Sequence, residues 1–249
     1  MAHRMSKTKR PAFEDKQVKH LNKIAERSLD DKTVETLLSL VSKGVVRSID
    51  YPVSGGKEAI VFRATSKTGF AAVKVYKYET STFRHMAKYI EGDPRFNVRH
   101  TQRQLVREWA KKEFANLRIL YNAGVRVPAP MAQKDNVVVM EFLGVGGVQS
   151  ALLEEVVVEN PKEMLEDLLE QTRRIYAAGL VHADLSSFNI IIHDGRPYII
   201  DVGQAVLLKH PLAEDFLEKD VCNLLGFFAK LGARKDFAEA LAFVKGGKE

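Results

Sequence analysis

The run His182-Ala183-Asp184-Leu185-Ser186-Ser187-Phe188-Asn189 sets a carboxylate five residues ahead of a carboxamide. Its flanks place it on a loop, after a helix and before a strand. Two side-chain oxygens on one loop can face one cleft. Transfer of a phosphoryl group from ATP needs an acidic group to orient or deprotonate the accepting hydroxyl, and oxygen ligands for magnesium. Asp184 suits the first task and Asn189 the second. Asp and Asn also form local turns, so this run alone does not separate chemistry from a plain loop. A second carboxylate adds weight. Asp201 follows the apolar Tyr198-Ile199-Ile200 and precedes Val202-Gly203. A charge at the end of a buried strand is costly unless it is paired or metal-bound. The apolar runs 190–192 and 198–200 are joined through Asp194-Gly195, a strong hairpin signal. The return strand therefore brings Asp201 back beside Asn189, where their oxygens would form a site for a hard cation; a turn cap is the alternative for Asp201.

Lys74 lies within Ala72-Val73-Lys74-Val75-Tyr76. On a strand of this composition a lysine is a buried charge, which demands an anion, unless the strand edge turns it to solvent. ATP phosphates and a helix glutamate supply two. Glu113 is the better partner because it adjoins the apolar Phe114, Leu117 and Leu120; Glu108, more than one turn away on the same helix, is the alternative. Ser54-Gly55-Gly56-Lys57-Glu58-Ala59 lies between two strands and can cover phosphates with backbone N–H groups. It is not a Walker A loop, since Lys57 is followed by Glu58, and it is not the G-x-G-x-x-G loop of ordinary protein kinases. Val137-Val138-Val139-Met140-Glu141-Phe142-Leu143 ends the strand-rich part. In an adenine pocket there, the Glu141 carbonyl and the Leu143 amide would meet the base edge; a plain core strand has the same pattern.

These residues need elements to hold them. Two polar-faced helices open the chain. In the second, Asp31 is the expected cap, Val34, Leu37, Leu38 and Val41 recur at helical spacing, and Gly44 ends it. Strand-like runs follow at 45–51, 59–64 and 70–76, a three-strand meander. Segment 77–100 has little periodicity, a Gly92-Asp93-Pro94 break and the basic Arg84, His85, Lys88, Arg95 and Arg99; it reads as a flexible basic loop. A helix is expected over 102–121, then strands at 131–133 and 137–142. Gly144, Gly146 and Gly147 mark a hinge. Pro161 opens a helix that Gly179 closes, and the chain is again helical from about residue 214. Strands first and helices after a glycine-rich crossing describe an α+β body with two lobes. The expected division is a helical extension over 1–44, an N-terminal lobe over 45–143 and a C-terminal helical lobe over 144–249.

Composition sets outer limits. No apolar run reaches the roughly 20 residues that span a bilayer, and the basic start lacks the apolar stretch of a secretory signal, so a cytoplasmic protein without a membrane is expected. A single cysteine, Cys222, excludes an internal disulfide and a cysteine-rich zinc site; beside Val221, Leu224 and Leu225 it reads as a packed thiol. The net charge of +6 suits an anionic partner such as RNA and equally suits ordinary solubility.

Taken together, Val73-Lys74-Val75-Tyr76-Lys77, His182-Ala183-Asp184-Leu185-Ser186 with Asn189, and Ile200-Asp201-Val202-Gly203-Gln204-Ala205-Val206 resemble the RIO family of atypical serine/threonine protein kinases. The likeness runs from about 45 to 225. Gly55 is a small departure, since the family usually has threonine there. The forms around Asp184 and Asp201 resemble the one-type subfamily, and the stretch before Val45 is too short for the winged helix of the two-type subfamily. The resemblance implies a trimmed protein-kinase-like fold binding ATP with magnesium, or manganese in its place. It implies Asp184 as catalytic base, Asn189 and Asp201 as metal ligands, and Lys74 on the phosphates with Ser54 and Lys57 nearby. Glu141 and Leu143 would bind adenine. It further implies a phosphoaspartate at Asp201, ATPase activity, and a role with the pre-ribosomal small subunit, its protein and its rRNA. The 48 residues after Asp201 leave no room for an ordinary activation segment with its peptide-binding platform, so hydrolysis or retention of phosphate is expected to compete with transfer to free peptides. A small-molecule phosphotransferase and a nucleotide-switched assembly factor are the alternatives; the short C-terminal region speaks against the first, and the intact Lys74, Asp184, Asn189 and Asp201 against inactivity.

Overall fold

The computed structural model describes residues 29–78, 83–90, 93–96 and 101–246. The first expected N-terminal helix lies outside these residues, as do Gly92 and Arg99. Helix α1, Asp31–Ser42, is capped by Asp30 rather than Asp31: the Asp30 Oδ1 accepts from the Thr33 amide at 3.0 Å, and Asp31 is already the first helical residue. A capping oxygen must sit about three residues before its donor, which Asp30 does.

Strands β1 (Ser48–Gly55), β2 (Ala59–Thr65), β3 (Phe70–Tyr76), β4 (Pro130–Lys134) and β5 (Val137–Glu141) form one antiparallel sheet in the order β1-β2-β3-β5-β4. β1 starts three residues later than expected and runs further. Ser54 and Gly55 pair with Val61 and Ile60, so they belong to the strand and not to the turn. Side chains alternate between the faces. On β3 and β5, Ala71, Val73, Val75, Val137 and Val139 pack with Val34, Leu37 and Leu40 of α1. Tyr76, Val138 and Met140 face the other way and join the larger core with helix α3, Gln102–Asn122. The sheet is thus covered on both faces, and Lys74 falls on the α3 side.

The segment expected to be a basic loop contains a helix, α2, Phe83–Ile90. Met86, Tyr89 and Ile90 are buried, and the Tyr89 ring meets Trp109 of α3 edge-on at 6.1 Å. The stripe is only three residues wide, too brief for periodicity to show among basic neighbours.

Beyond β5, Gly144–Val145 (β6) and Val148–Gln149 (β7) make a small hairpin at the expected hinge. It is fastened to the sheet. The Arg63 guanidinium lies between the Tyr51 and Phe70 rings at 4.4 and 4.5 Å, and Arg63 Nη1 and Tyr51 Oη both donate to the Gly147 carbonyl. Gly147 has φ +84°, and a Cβ there would meet Arg63 Nη1 at 2.3 Å, so only glycine fits.

Helix α4, Pro161–Ala177, begins on its proline, and Gly179 follows it with φ +84°. Then come β8 (Leu180–Val181), β9 (Ile190–His193), β10 (Arg196–Ile199), β11 (Val206–Leu207), α5 (Ala213–Lys230) and α6 (Phe237–Val244). β9 and β10 form the expected hairpin, with Asp194 and Gly195 at φ +49° and +71°. One reading fails here: Cys222 is exposed. The buried stripe of α5 is Leu217, Asp220, Val221, Leu224 and Phe228, and residue 222 is turned about 100° away from Val221. No helix among the described residues is long and apolar enough to cross a membrane.

Candidate active site

Lys74, Glu113 and Asp201 meet between the sheet, α3 and the end of the β9–β10 hairpin. Strand alternation turns Lys74 toward α3, where its Nζ lies 2.8 Å from Glu113 Oε1 and 2.9 Å from Asp201 Oδ1. Tyr76, two residues on and therefore on the same strand face, donates its hydroxyl to Glu113 Oε2. Glu108 is not part of this group; it pairs with Lys111 on the outer side of α3 at 2.6 Å.

The charges explain one another. Burial works against the Lys74 ammonium, but Asp201 and Glu113 outweigh it and hold its pKa well above that of a free lysine. Burial pushes the Glu113 carboxyl up, with Lys74 pulling the other way. Enclosure opposes the Asp201 anion, and the Lys74 ammonium beside it wins, keeping that carboxyl below the usual range. Burial, then Glu113, raises the Tyr76 phenol, so its proton stays on Tyr76 and is shared with Glu113.

Asp184 stands at the edge of this cluster. The Asn189 amide nitrogen donates to the Asp184 carbonyl at 2.8 Å and reaches its Oδ2 at 3.3 Å. Gln204 Nε2 donates to the same Oδ2 at 3.2 Å, and Lys219 Nζ lies 3.6 Å from Oδ1. The loop carrying Asp184 is held from below. Asp220 of α5, fully buried, accepts from the Ala183 and Leu185 amides, each at 2.7 Å. That grip matters because Ala183 has φ +70°, a left-handed conformation that costs a residue with a Cβ roughly 1 kcal/mol. His182 Nε2 lies 3.1 Å from the Ile200 carbonyl, linking the Asp184 loop to the approach to Asp201.

A cleft of about 290 Å³ opens over these residues. Its polar lining includes Ser54, Lys74, Glu113, Glu141, Asn189 and Asp201, and its apolar walls include Val61, Ala72, Met140, Leu143, Ile191 and Ile200. A cleft lined by both charged groups and apolar side chains can take a ligand with a charged tail and a flat apolar body. Asp184 lies outside this lining, and Lys57 is exposed and outside it as well. The donor set fits magnesium. Asp201 is 44% exposed and Lys74 holds only its Oδ1, which leaves Oδ2; Asn189 uses its nitrogen on Asp184, which leaves its oxygen. Among the described residues no three His, Cys, Asp or Glu side chains cluster as a metal cage. Magnesium brought in on phosphates needs just one or two protein oxygens.

Four further residues of the site escaped the sequence reading. Tyr76 was legible from strand alternation with Lys74. Asp220 was legible as a lone carboxylate on the apolar stripe of α5. Gln204 lies within the run that resembles the family but nothing in the sequence points it at Asp184, and Lys219 carries no signal, since both approaches depend on how distant segments pack.

Comparison with known proteins agrees with this geometry. The RIO domain model matches residues 60–240. The chain belongs to the RIO family. It is 47% identical to the RIO-type serine/threonine-protein kinase Rio1 of Haloferax volcanii, an alignment covering 90% of this chain and 78% of the relative. The corresponding Methanocaldococcus jannaschii kinase is 36% identical with the same coverages. Among solved structures, the Rio2 kinase–ADP/Mg2+–phosphoaspartate complex from Chaetomium thermophilum superposes with a TM-score of 0.66 at 23% identity, covering 91% of this chain and 75% of that one, a likeness of fold. This RIO protein is therefore an ATP-dependent atypical serine/threonine protein kinase of the Rio1 type, with a two-lobed, kinase-like α+β fold.

Proposed function

We propose that the cleft moves the γ-phosphoryl group of ATP from the Lys74–Asp201 end toward an acceptor held at Asp184. The observation that carries this reading is the convergence of Lys74, Asn189 and Asp201 on one cleft, with Asp184 hydrogen-bonded to Asn189 at its edge. Lys74 binds the phosphates and Glu113 orients it. The Asp201 Oδ2 and the Asn189 amide oxygen hold magnesium, which neutralises charge on the phosphates. Asp184 orients the acceptor and takes its proton, with Oδ2 steadied by Gln204 and Asn189. The Glu141 carbonyl and Leu143 amide meet the adenine edge, Ser54 lies against the phosphates, and Lys57 approaches from the rim only if the β1–β2 turn moves inward.

The phosphoaspartate named for the Rio2 relative would form here on Asp201: a carboxylate oxygen bonds to phosphorus, the bond to ADP breaks, and water then releases phosphate. That path gives ATP hydrolysis without a protein acceptor. The half-open Asp201 carboxylate suits it. The wider reading is an ATPase-driven step in maturation of the small ribosomal subunit, in the cytoplasm, with the helical extension (1–44), the N-terminal lobe (45–143) and the C-terminal lobe (144–249) as the working parts. It rests on family likeness and on the basic residues at 77–100.

The test is a single-turnover reaction with γ-labelled ATP and magnesium, quenched in acid and trapped with hydroxylamine. Label on the parent chain that hydroxylamine releases, absent from Asp201→Asn, is the expected result. Label confined to serine or threonine in both would remove the phosphoaspartate path.

A further inference from the structure

We propose that Lys112 and Asn116 form a positioning clamp that holds Asp201 by the backbone behind it, and so sets how tightly this site binds its divalent cation. The proposal builds on the reading of Asp201 as a metal ligand and concerns two residues to which that reading gives no part.

Both side chains are completely buried. Lys112 Nζ donates to the Gly203 carbonyl at 2.8 Å and to the Ala205 carbonyl. Asn116 Nδ2 donates to the Val202 and Ala205 carbonyls at 2.9 and 3.0 Å. Two adjacent side chains on one face of α3 thus bind three of the four carbonyls that follow Asp201. A buried ammonium whose hydrogen-bond acceptors are carbonyls is an expensive way to fill space, and a methionine would fill the same volume without the desolvation cost. Its presence points to the bonds it makes.

Asp201 needs such a grip. Its φ is +58°, the left-handed region, which costs a non-glycine residue roughly 1 kcal/mol and persists only where surrounding structure enforces it. The turn after it, Val202–Gln204, is a single short helical turn. Gly203 packs closely behind this turn: a Cβ there would sit 3.0 Å from the Trp109 Nε1, so a larger residue would press the turn against that ring. Glu113, next in sequence to Lys112, holds the front of Asp201 through Lys74. One helix therefore fixes Asp201 twice, by its carboxylate through Glu113 and Lys74, and by its backbone through Lys112 and Asn116. Arg95 Nη2 donates to Asn116 Oδ1 at 3.0 Å while its guanidinium chelates Asp93, which fixes the amide so that its nitrogen faces the carbonyls. Groups that orient a metal ligand from outside its coordination sphere typically change metal affinity by 10- to 100-fold when removed.

The experiment measures manganese(II) binding to the full chain in the presence of ADP by electron paramagnetic resonance. ADP binding without metal and the thermal midpoint are measured alongside. Lys112→Met is expected to weaken manganese binding about tenfold, with metal-free ADP binding unchanged. Asn116→Ala is expected to act in the same direction and serves where Lys112→Met does not fold. Gly203→Ala crowds the turn against Trp109 without deleting a donor and should weaken manganese binding in the same direction. Manganese affinity equal to the parent in the folded variants overturns the clamp. An equal loss of metal-free ADP binding also overturns it, because it assigns the pair to general packing. A parent chain that binds no manganese with ADP instead overturns the reading of Asp201 as a metal ligand, and the clamp falls with it.

Discussion

The two ends of the cleft are built on opposite plans. Around Lys74 every charge has a close partner: Glu113 is buried, Lys74 nearly so, and Tyr76 closes the remaining carboxylate oxygen. Around Asp184 the partners are two amides at 3.2 and 3.3 Å and a half-exposed lysine at 3.6 Å, longer contacts than those Lys74 makes to Glu113 and Asp201. The first end is fixed before anything binds, as suits a nucleotide whose shape never varies. The second keeps room for an acceptor to displace weak contacts. On the proposed roles, preorganisation would sit with the donor, and selection of the acceptor would fall to what docks beside Asp184.

That contrast can be broken by substitution. Asp201→Ala removes both the partner of Lys74 and a magnesium oxygen; it is expected to abolish turnover and weaken magnesium-dependent ATP binding sharply, read by calorimetry with and without magnesium. Asp184→Ala should lower the transfer rate by about 10²- to 10⁴-fold, the usual contribution of a positioned base, while leaving nucleotide affinity near the parent value. If it transfers phosphate at the parent rate, Asp184 is not the base. Glu113→Gln should cost on the order of tenfold in kcat/KM for ATP, and Glu108→Gln no more than about twofold, since an exposed i,i+3 pair contributes little. The reverse ranking would move the partner of Lys74 to Glu108.

A separate prediction concerns stability against pH. Burial pushes the Lys112 ammonium from 10.5 down to about 7, aided by Arg95 and opposed by Asp93 and Glu113. Between those values the unfolded chain carries the extra proton, so this residue makes stability rise with pH from about 7 to 10.5. The neutral amine still has two N–H donors for its two carbonyls. Urea midpoints across that window should rise less steeply for Lys112→Met than for the parent; parallel curves would place the proton on Lys112 throughout.

Much of this was readable in the chain. The hairpin over Asp194-Gly195 was visible because turn chemistry is local, and it alone implied that Asn189 and Asp201 approach each other. Lys74 stands out as a charge in an alternating strand, and the apolar neighbours of Glu113 favour it over Glu108 as the partner without excluding Glu108. The misreadings have physical causes too. Cys222 was judged by the residues beside it rather than by its angle around the helix. Helix α2 hid its three buried side chains among cations. The grip of α3 on residues 202–205 left no trace at all, because a lysine that binds carbonyls looks like any other lysine next to Lys111.

The passage from Asp201 to Ala213 is brief, and its middle is pinned where Val206 and Leu207 pair with Val181 and Leu180. Ordinary kinases place their on–off control in this stretch, as a long tether that phosphorylation folds or releases. Here no slack exists to be folded. A timing signal of that tethered kind would have to act elsewhere in this enzyme, since the turns between Val202 and Leu212 leave only a short span to refold.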